Sequence, residues 1–263
     1  MMDSMGIKMP DIKTMQKNVS GVSDAQLKKA FDDENRIVPQ KDAAGIAAVS
    51  KISLTAATIP AFLSSSHTKV LALLRPGSKT LAEKIYAQLK STGSNSDAIG
   101  NTAAGLWIIG RIQPALYIMG RACSEDINNT DNLSNYASIL SMSGIQQSAI
   151  PLMNYLNIKY PRNSTILNNL GQAWFALGEM QKAEKYLDSA IRIYAYHPQA
   201  NFTKSFIEES KGNKTEAVKL VKKAILHSYS DEKEDRLRKL GHKLTGKDVS
   251  LPKNTKADPL NLG

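Results

Sequence analysis

TILNNLGQAWFALGEMQKAEKYLDSAIRIYAYHP, residues 165–198, reads as two amphipathic helices on either side of one glycine. Gly178 falls where the chain must reverse, and glycine accepts the positive φ that such a reversal uses. Working outward, the same glycine returns every 34 positions as Gly110, Gly144, Gly178 and Gly212. Five residues later runs Ala115, Ala149, Ala183 and Ala217, and a third column reads Ala122, Leu156, Ala190 and Ala224. Seven before the glycines stand Ala103, Ala137, Gly171 and Ser205. Small side chains at helix crossings let backbones approach closely. A fixed period of this size marks a stacked repeat architecture, which favours a binding scaffold over a catalytic pocket.

The composition agrees. The chain has 263 residues, 42% hydrophobic and 6% aromatic, which suits helices packed closely through small residues. The net charge is +10, with fourteen Lys/Arg against nine Asp/Glu in residues 201–263. That excess favours anionic partners or a solvated helical face. No aromatic-basic motif or zinc-finger spacing supports a nucleic-acid binder. The single cysteine, Cys123, lies in an apolar helical stretch and is expected to pack as a small hydrophobe. The longest apolar region, 103–119, is broken by Arg111, Gln113 and Pro114, so it is not a membrane span.

Five segments are expected. Residues 1–21 are Met-rich, holding Met1, Met2, Met5, Met9 and Met15, and are interrupted by Pro10. Residues 22–95 form a helical cap with degenerate repeats. Its first helix, capped by Ser23 or Asp24, runs through Ala25, Leu27, Ala30 and Phe31. A second covers Asp42 to Ile52. A third starts at Thr58-Ile59-Pro60, ends at Pro76-Gly77, and can pair as a hairpin with a fourth that Ser78 caps. Residues 96–230 hold four regular units, with Pro114 and Pro151 near the first turns of second helices. A charged helix at 231–245 places acids first and bases last, matching the helix dipole, and suits a terminal cap. Residues 246–263 read as a linker or tail.

The unit 165–198 resembles a tetratricopeptide repeat through Asn169, Leu170, Gly171, Ala173, Trp174, Gly178, Ala183, Leu187 and Ala190. Residues 132–161 resemble a second through Asn135, Tyr136, Ala137, Leu140, Gly144, Ala149 and Pro161. Two further units, 96–129 and 198–231, stay in register. The resemblance implies an all-α fold: a right-handed α-solenoid of helix-turn-helix hairpins with an N-terminal helical cap. The whole chain is also similar to uncharacterised tetratricopeptide proteins of the Bacteroidetes type, which usually carry an export signal. That implies a periplasm or cell-envelope location and an N-terminus preceding this sequence, although MMDSMGIKMPDIK is not itself a signal peptide.

Enzymatic motifs fail on their chemistry. Gly241 to Lys247 has phosphate-loop spacing, but Asp248 stands where a hydroxyl should hold Mg²⁺. Ser66-His67-Thr68-Lys69 lacks the companion Lys-Thr-Gly of penicillin-binding enzymes. His67, His197, His227 and His242 have no metal-ligand spacing. No catalytic residue, metal or cofactor is expected.

Asn101, Asn135 and Asn169 recur on first helices at the repeat spacing. In some tetratricopeptide superhelices such a ladder lies on the concave side and hydrogen-bonds a bound peptide backbone, since an amide both donates and accepts. The same amides can instead bond within the array. By the same resemblance, Trp107, Asp131, Ser138, Gln172, Phe175, Phe202 and Phe206 face the groove, although Phe202 and Phe206 can equally pack on the last helix. The expected function is a non-enzymatic adaptor binding a peptide or protein segment. The alternatives are a rigid spacer in a larger envelope protein and an accessory domain of an enzyme outside this chain.

Overall fold

The computed structural model describes residues 37–246. The Met-rich segment, the helix expected from Ser23 or Asp24, and the tail beyond Gly246 lie outside the described residues. Residues 38–246 belong to one compact unit. Among the described residues there are twelve helices and no strand.

The regular array comprises four hairpins. These are α4 (Ser96–Ile108) with α5 (Ile112–Glu125), α6 (Thr130–Met142) with α7 (Gln146–Lys159), α8 (Ser164–Ala176) with α9 (Met180–Ile193), and α10 (Pro198–Ser210) with α11 (Lys214–His227). Each first helix also packs on the next first helix, and each second helix on the following first helix, which makes a solenoid. The alanine columns are the crossings: Ala115, Ala149, Ala183 and Ala217 are all fully buried.

The glycine column closes every hairpin in the same way. Gly110, Gly144, Gly178 and Gly212 have φ of +78°, +79°, +70° and +84°. In the third hairpin Gly178 N–H donates to Phe175 O (2.8 Å) and Glu179 N–H to Trp174 O (3.0 Å). That pair of bonds satisfies the last carbonyls of the first helix and turns the chain in two residues. The other three glycines repeat both bonds.

A second column starts the first helices. Asn95, Asn129 and Asn163 each accept a backbone N–H with the side-chain oxygen, from Ala98, Asn132 and Ile166 respectively. The fourth residue in the series is His197, whose Nδ1 accepts from Ala200 N–H at 3.4 Å. Asparagine is a favoured N-cap because its short acceptor reaches the free N–H groups of the first turn.

Among the described residues three helices precede the array: α1 (Ala43–Ser50), α2 (Ile59–Leu73) and α3 (Pro76–Ser91). They cover the second helices rather than stacking on the array's end. α2 and α3 both pack on α5, and α1 packs on α7. The expected α2–α3 hairpin does not form, because the two linking residues, Leu74 and Arg75, are extended (ψ 136° and 142°). Ser78 does not cap α3. The helix begins at Pro76, whose fixed φ suits the first position.

The segment before α1 crosses to the third hairpin. Asp42 N–H donates to Leu177 O (2.9 Å), and Lys41 pairs with Glu179 (3.0 Å). Gly178 lies so close beneath it that a β-carbon there would sit 2.5 Å from Gln40 O. Residues 40–50 therefore strap the outer side of the second and third hairpins.

Pro151 is the sixth residue of α7, inside the helix rather than in its first turn. The lost hydrogen bond falls on the carbonyl of Gln147, an exposed residue that solvent can serve. The terminal helix α12 (Asp231–Lys239) packs on α11 in the place of a fifth first helix. It ends at Gly241 (φ +83°), ahead of Gly246, which stands one period after Gly212.

Candidate functional site

The repeat register places equivalent side chains of successive first helices side by side. Along α4, α6, α8 and α10 they border a groove of about 650 Å³. Its middle is walled by Ser134, Asn135 and Ser138 of α6 and by Thr165, Asn168, Asn169 and Gln172 of α8. Trp107 and Met142 flank one end, and Tyr194, His197, Pro198 and Gln199 flank the other. Ser141, Met153 and Ser164 complete the lining. None of these residues is Lys, Arg, Asp or Glu.

The amides of the wall form one chain of hydrogen bonds. Gln172 Nε2 donates to Asn168 Oδ1 (3.1 Å), and Asn168 Nδ2 donates to Asn169 Oδ1 (3.1 Å). Asn169 Nδ2 donates to Ser138 Oγ (2.9 Å), which donates to Ser134 O (2.9 Å). The chain fixes the rotamers of four side chains and joins α8 to α6. Each amide still keeps one N–H, because a carboxamide nitrogen carries two.

The residues expected to face the groove divide. Asn135, Asn169, Ser138, Gln172 and Trp107 line it. Asn101 and Asp131 are exposed and stand outside its lining. Asn169 bonds within the array while Asn135 lines open space, so the asparagine ladder is not one uniform row. Phe175, Phe202 and Phe206 do not line the groove either; they form an aromatic cluster. The ring centroids of Phe175 and Phe206 are 6.2 Å apart, and those of Phe202 and Phe206 are 5.3 Å apart. Arg236 of α12 stacks over Phe206 at 3.9 Å and pairs with Glu209 at 2.5 Å. Phe206 thus serves the junction with the last helix, and Phe175 and Phe202 pack against it. Trp174 is buried, with Lys182 Nζ 4.0 Å over its ring, as expected of a packing residue.

Sequence reasoning passes over Asn168, Ser134, Thr165, Tyr194 and His197. Asn168 sits beside Asn169, but its neighbours in the repeat column are Ser134 and Phe202, so no column marks it. The caps Asn95, Asn129 and Asn163 do form a column in the sequence, and His197 is its next member. His197 is 7% exposed, and burial holds its pKa below the usual value. Its neutral ring is the form that can accept the cap bond through Nδ1. The groove's electrostatics are therefore those of amides, hydroxyls and neutral rings.

Elsewhere, Cys123 is fully buried and burial pushes its thiol pKa up, so it packs as an inert hydrophobe. Among the described residues no cluster of three or more His, Cys, Asp or Glu is placed to hold a metal. Among the same residues no helix is long and apolar enough to cross a membrane.

No family model matches the sequence, and no curated protein matches it. Solved structures do. A thermophilic tetratricopeptide-repeat protein of Thermus thermophilus is similar at a TM-score of 0.51 and 20% identity, over 55% of this chain and 80% of that one. A tetratricopeptide-repeat protein of Parabacteroides merdae matches at 0.48 and 20% identity, over 68% and 72% of the two chains. The pilF protein of Pseudomonas aeruginosa matches at 0.48 and 16% identity, over 68% and 89%. The hairpins closed by left-handed glycines and the likeness to the Thermus protein agree, and the chain has the fold of a tetratricopeptide-repeat solenoid.

Proposed function

We propose that this chain is a non-enzymatic scaffold that holds a protein or peptide segment in the groove along its first helices. One observation carries the reading: a preformed wall of amides and hydroxyls, fixed by its own hydrogen bonds, that lines a groove and leaves each amide a second N–H beyond the one it uses. A surface of that kind suits a polypeptide backbone, and fixed side chains lose little entropy on binding. The rigid-spacer alternative draws on the bond of Asn169 to Ser138, which ties neighbouring hairpins without any ligand. An envelope location belongs to this proposal through the family resemblance, and cell fractionation tests it.

The experiment is site-specific crosslinking in lysate. A photo-reactive residue replaces Asn135, and a control carries it at exposed Lys185 of α9. The expected result is an adduct from position 135 alone, mapped by mass spectrometry to one protein segment and blocked by Ser138→Trp. No adduct, or equal adducts from both positions, would leave the spacer reading in its place.

A further inference from the structure

We infer that the groove takes an uncharged, extended polypeptide segment of about eight residues, anchored by an apolar side chain at each end; this rests on the groove being a binding surface. The lining contains no charged side chain, although the whole chain carries a net charge of +10. A ligand charge placed there loses water and finds no counter-ion, a cost that neutral polar groups avoid by hydrogen bonding. His197 does not supply the missing charge, because burial keeps its ring neutral. Acidic and basic segments are both disfavoured.

The length follows from the geometry of the array. Trp107 belongs to α4 and Pro198 to α10, so the groove crosses three helix-to-helix steps. Packed helices lie about 8–10 Å apart, which gives a span of roughly 27 Å. An extended chain advances about 3.4 Å per residue, so about eight residues fill it. The two ends differ from the middle. Trp107 of α4 and Met142, the last residue of α6 and 67% exposed, both line the groove; toward α10 it is lined by Tyr194, which is 39% exposed and has its ring 6.0 Å from that of His197. Exposed apolar groups bordering a polar wall are natural anchor points. Between them, Asn135, Asn169 and Gln172 offer amides that pair with backbone in any sequence context.

The test is selection from a displayed library of random octapeptide segments flanked by neutral linkers. Selection is run on the wild-type chain and counter-selected on Asn135→Ala/Asn169→Ala. The expected pool loses Asp, Glu, Lys and Arg from its central positions and gains apolar residues near both ends. A chosen segment should bind about tenfold more weakly after one central charge of either sign is added, and raised salt should leave its affinity unchanged. Groove-dependent binders that carry charge as often as the input library would overturn the inference and leave the binding surface standing. A pool indifferent to the double variant, or binding only of a neutral oligosaccharide included as a separate probe, would remove the polypeptide reading and this inference with it.

Discussion

Asn169 Nδ2 donates to Ser138 Oγ across 2.9 Å, and this one bond joins the first helices of two successive hairpins. Both residues line the groove, so the bond belongs to array and site together. Asn169→Ala is expected to cost about 1 kcal/mol, the usual net worth of such a bond. Urea denaturation of both single variants and of Asn169→Ala/Ser138→Ala measures the coupling. Strictly additive losses would show that the bond does not link the two helices.

The cap of α10 is a histidine where its three predecessors are asparagines. Burial lowers the pKa of His197. His67 is lowered too, by burial first and then by nearby Arg121. As pH falls below the usual value of 6.5, the unfolded chain takes up protons that the folded chain resists. Stability should therefore decline from about pH 6.5 toward pH 5 and be fully present above it. His197→Asn restores the asparagine cap and should flatten part of that decline, with His67 accounting for the remainder. Thermal melts across the range check it, and an unchanged slope in the variant would refute it.

Arg236 is the fastener of the last helix. Its guanidinium stacks on Phe206, pairs with Glu209 and donates through Nη2 to Ser205 O at 3.2 Å. Arg236→Ala leaves Glu209 largely buried without its cation, and should cost about 3 kcal/mol. Lysine cannot stack and fork in this way, so Arg236→Lys should recover little. Hydrogen exchange should rise first in α12, and a uniform rise along the chain would contradict this role.

Two glycines of one column should respond differently to alanine. Gly144 and Gly178 both have positive φ, which costs alanine about 1 kcal/mol. A β-carbon at position 144 meets open space, whereas at 178 it meets Gln40 O at 2.5 Å. Gly178→Ala should be the more damaging and should raise hydrogen exchange in residues 40–50. Gly144→Ala should leave that segment protected.

The parts of the fold that the sequence carries are those that repeat. Gly178 and Ala183 are dictated by a turn and a crossing that recur in every unit, so four copies announce them. The strap at 40–50 is made once, by Asp42 reaching Leu177, and no local pattern announces a contact so far along the chain. The site shows the same division. Asn135 is legible because it repeats at Asn169, and Ser138 because the resemblance to tetratricopeptide repeats places it on the groove, although register did not bring Asn101 to the wall with them. Asn168 has no like residue in its column, and its place becomes visible only in the bonds it makes with Gln172 and Asn169. Phe206 suits a ligand and the last helix equally by sequence, and Arg236 on its face decides for the helix.

A helical solenoid behaves as a spring, because each coil touches only its neighbours. The strap turns part of this one into a braced beam. α2 is held by α5, α1 by α7, and Asp42 by the turn after α8, so one continuous stretch is clamped to three successive hairpins. Extension or twist across those hairpins must first break the clamp. The fourth hairpin and α12 lie beyond it and retain the compliance of an ordinary coil. Elastic adjustment of the groove is therefore concentrated at its Tyr194–Pro198 end, while the Trp107 end keeps a fixed gauge.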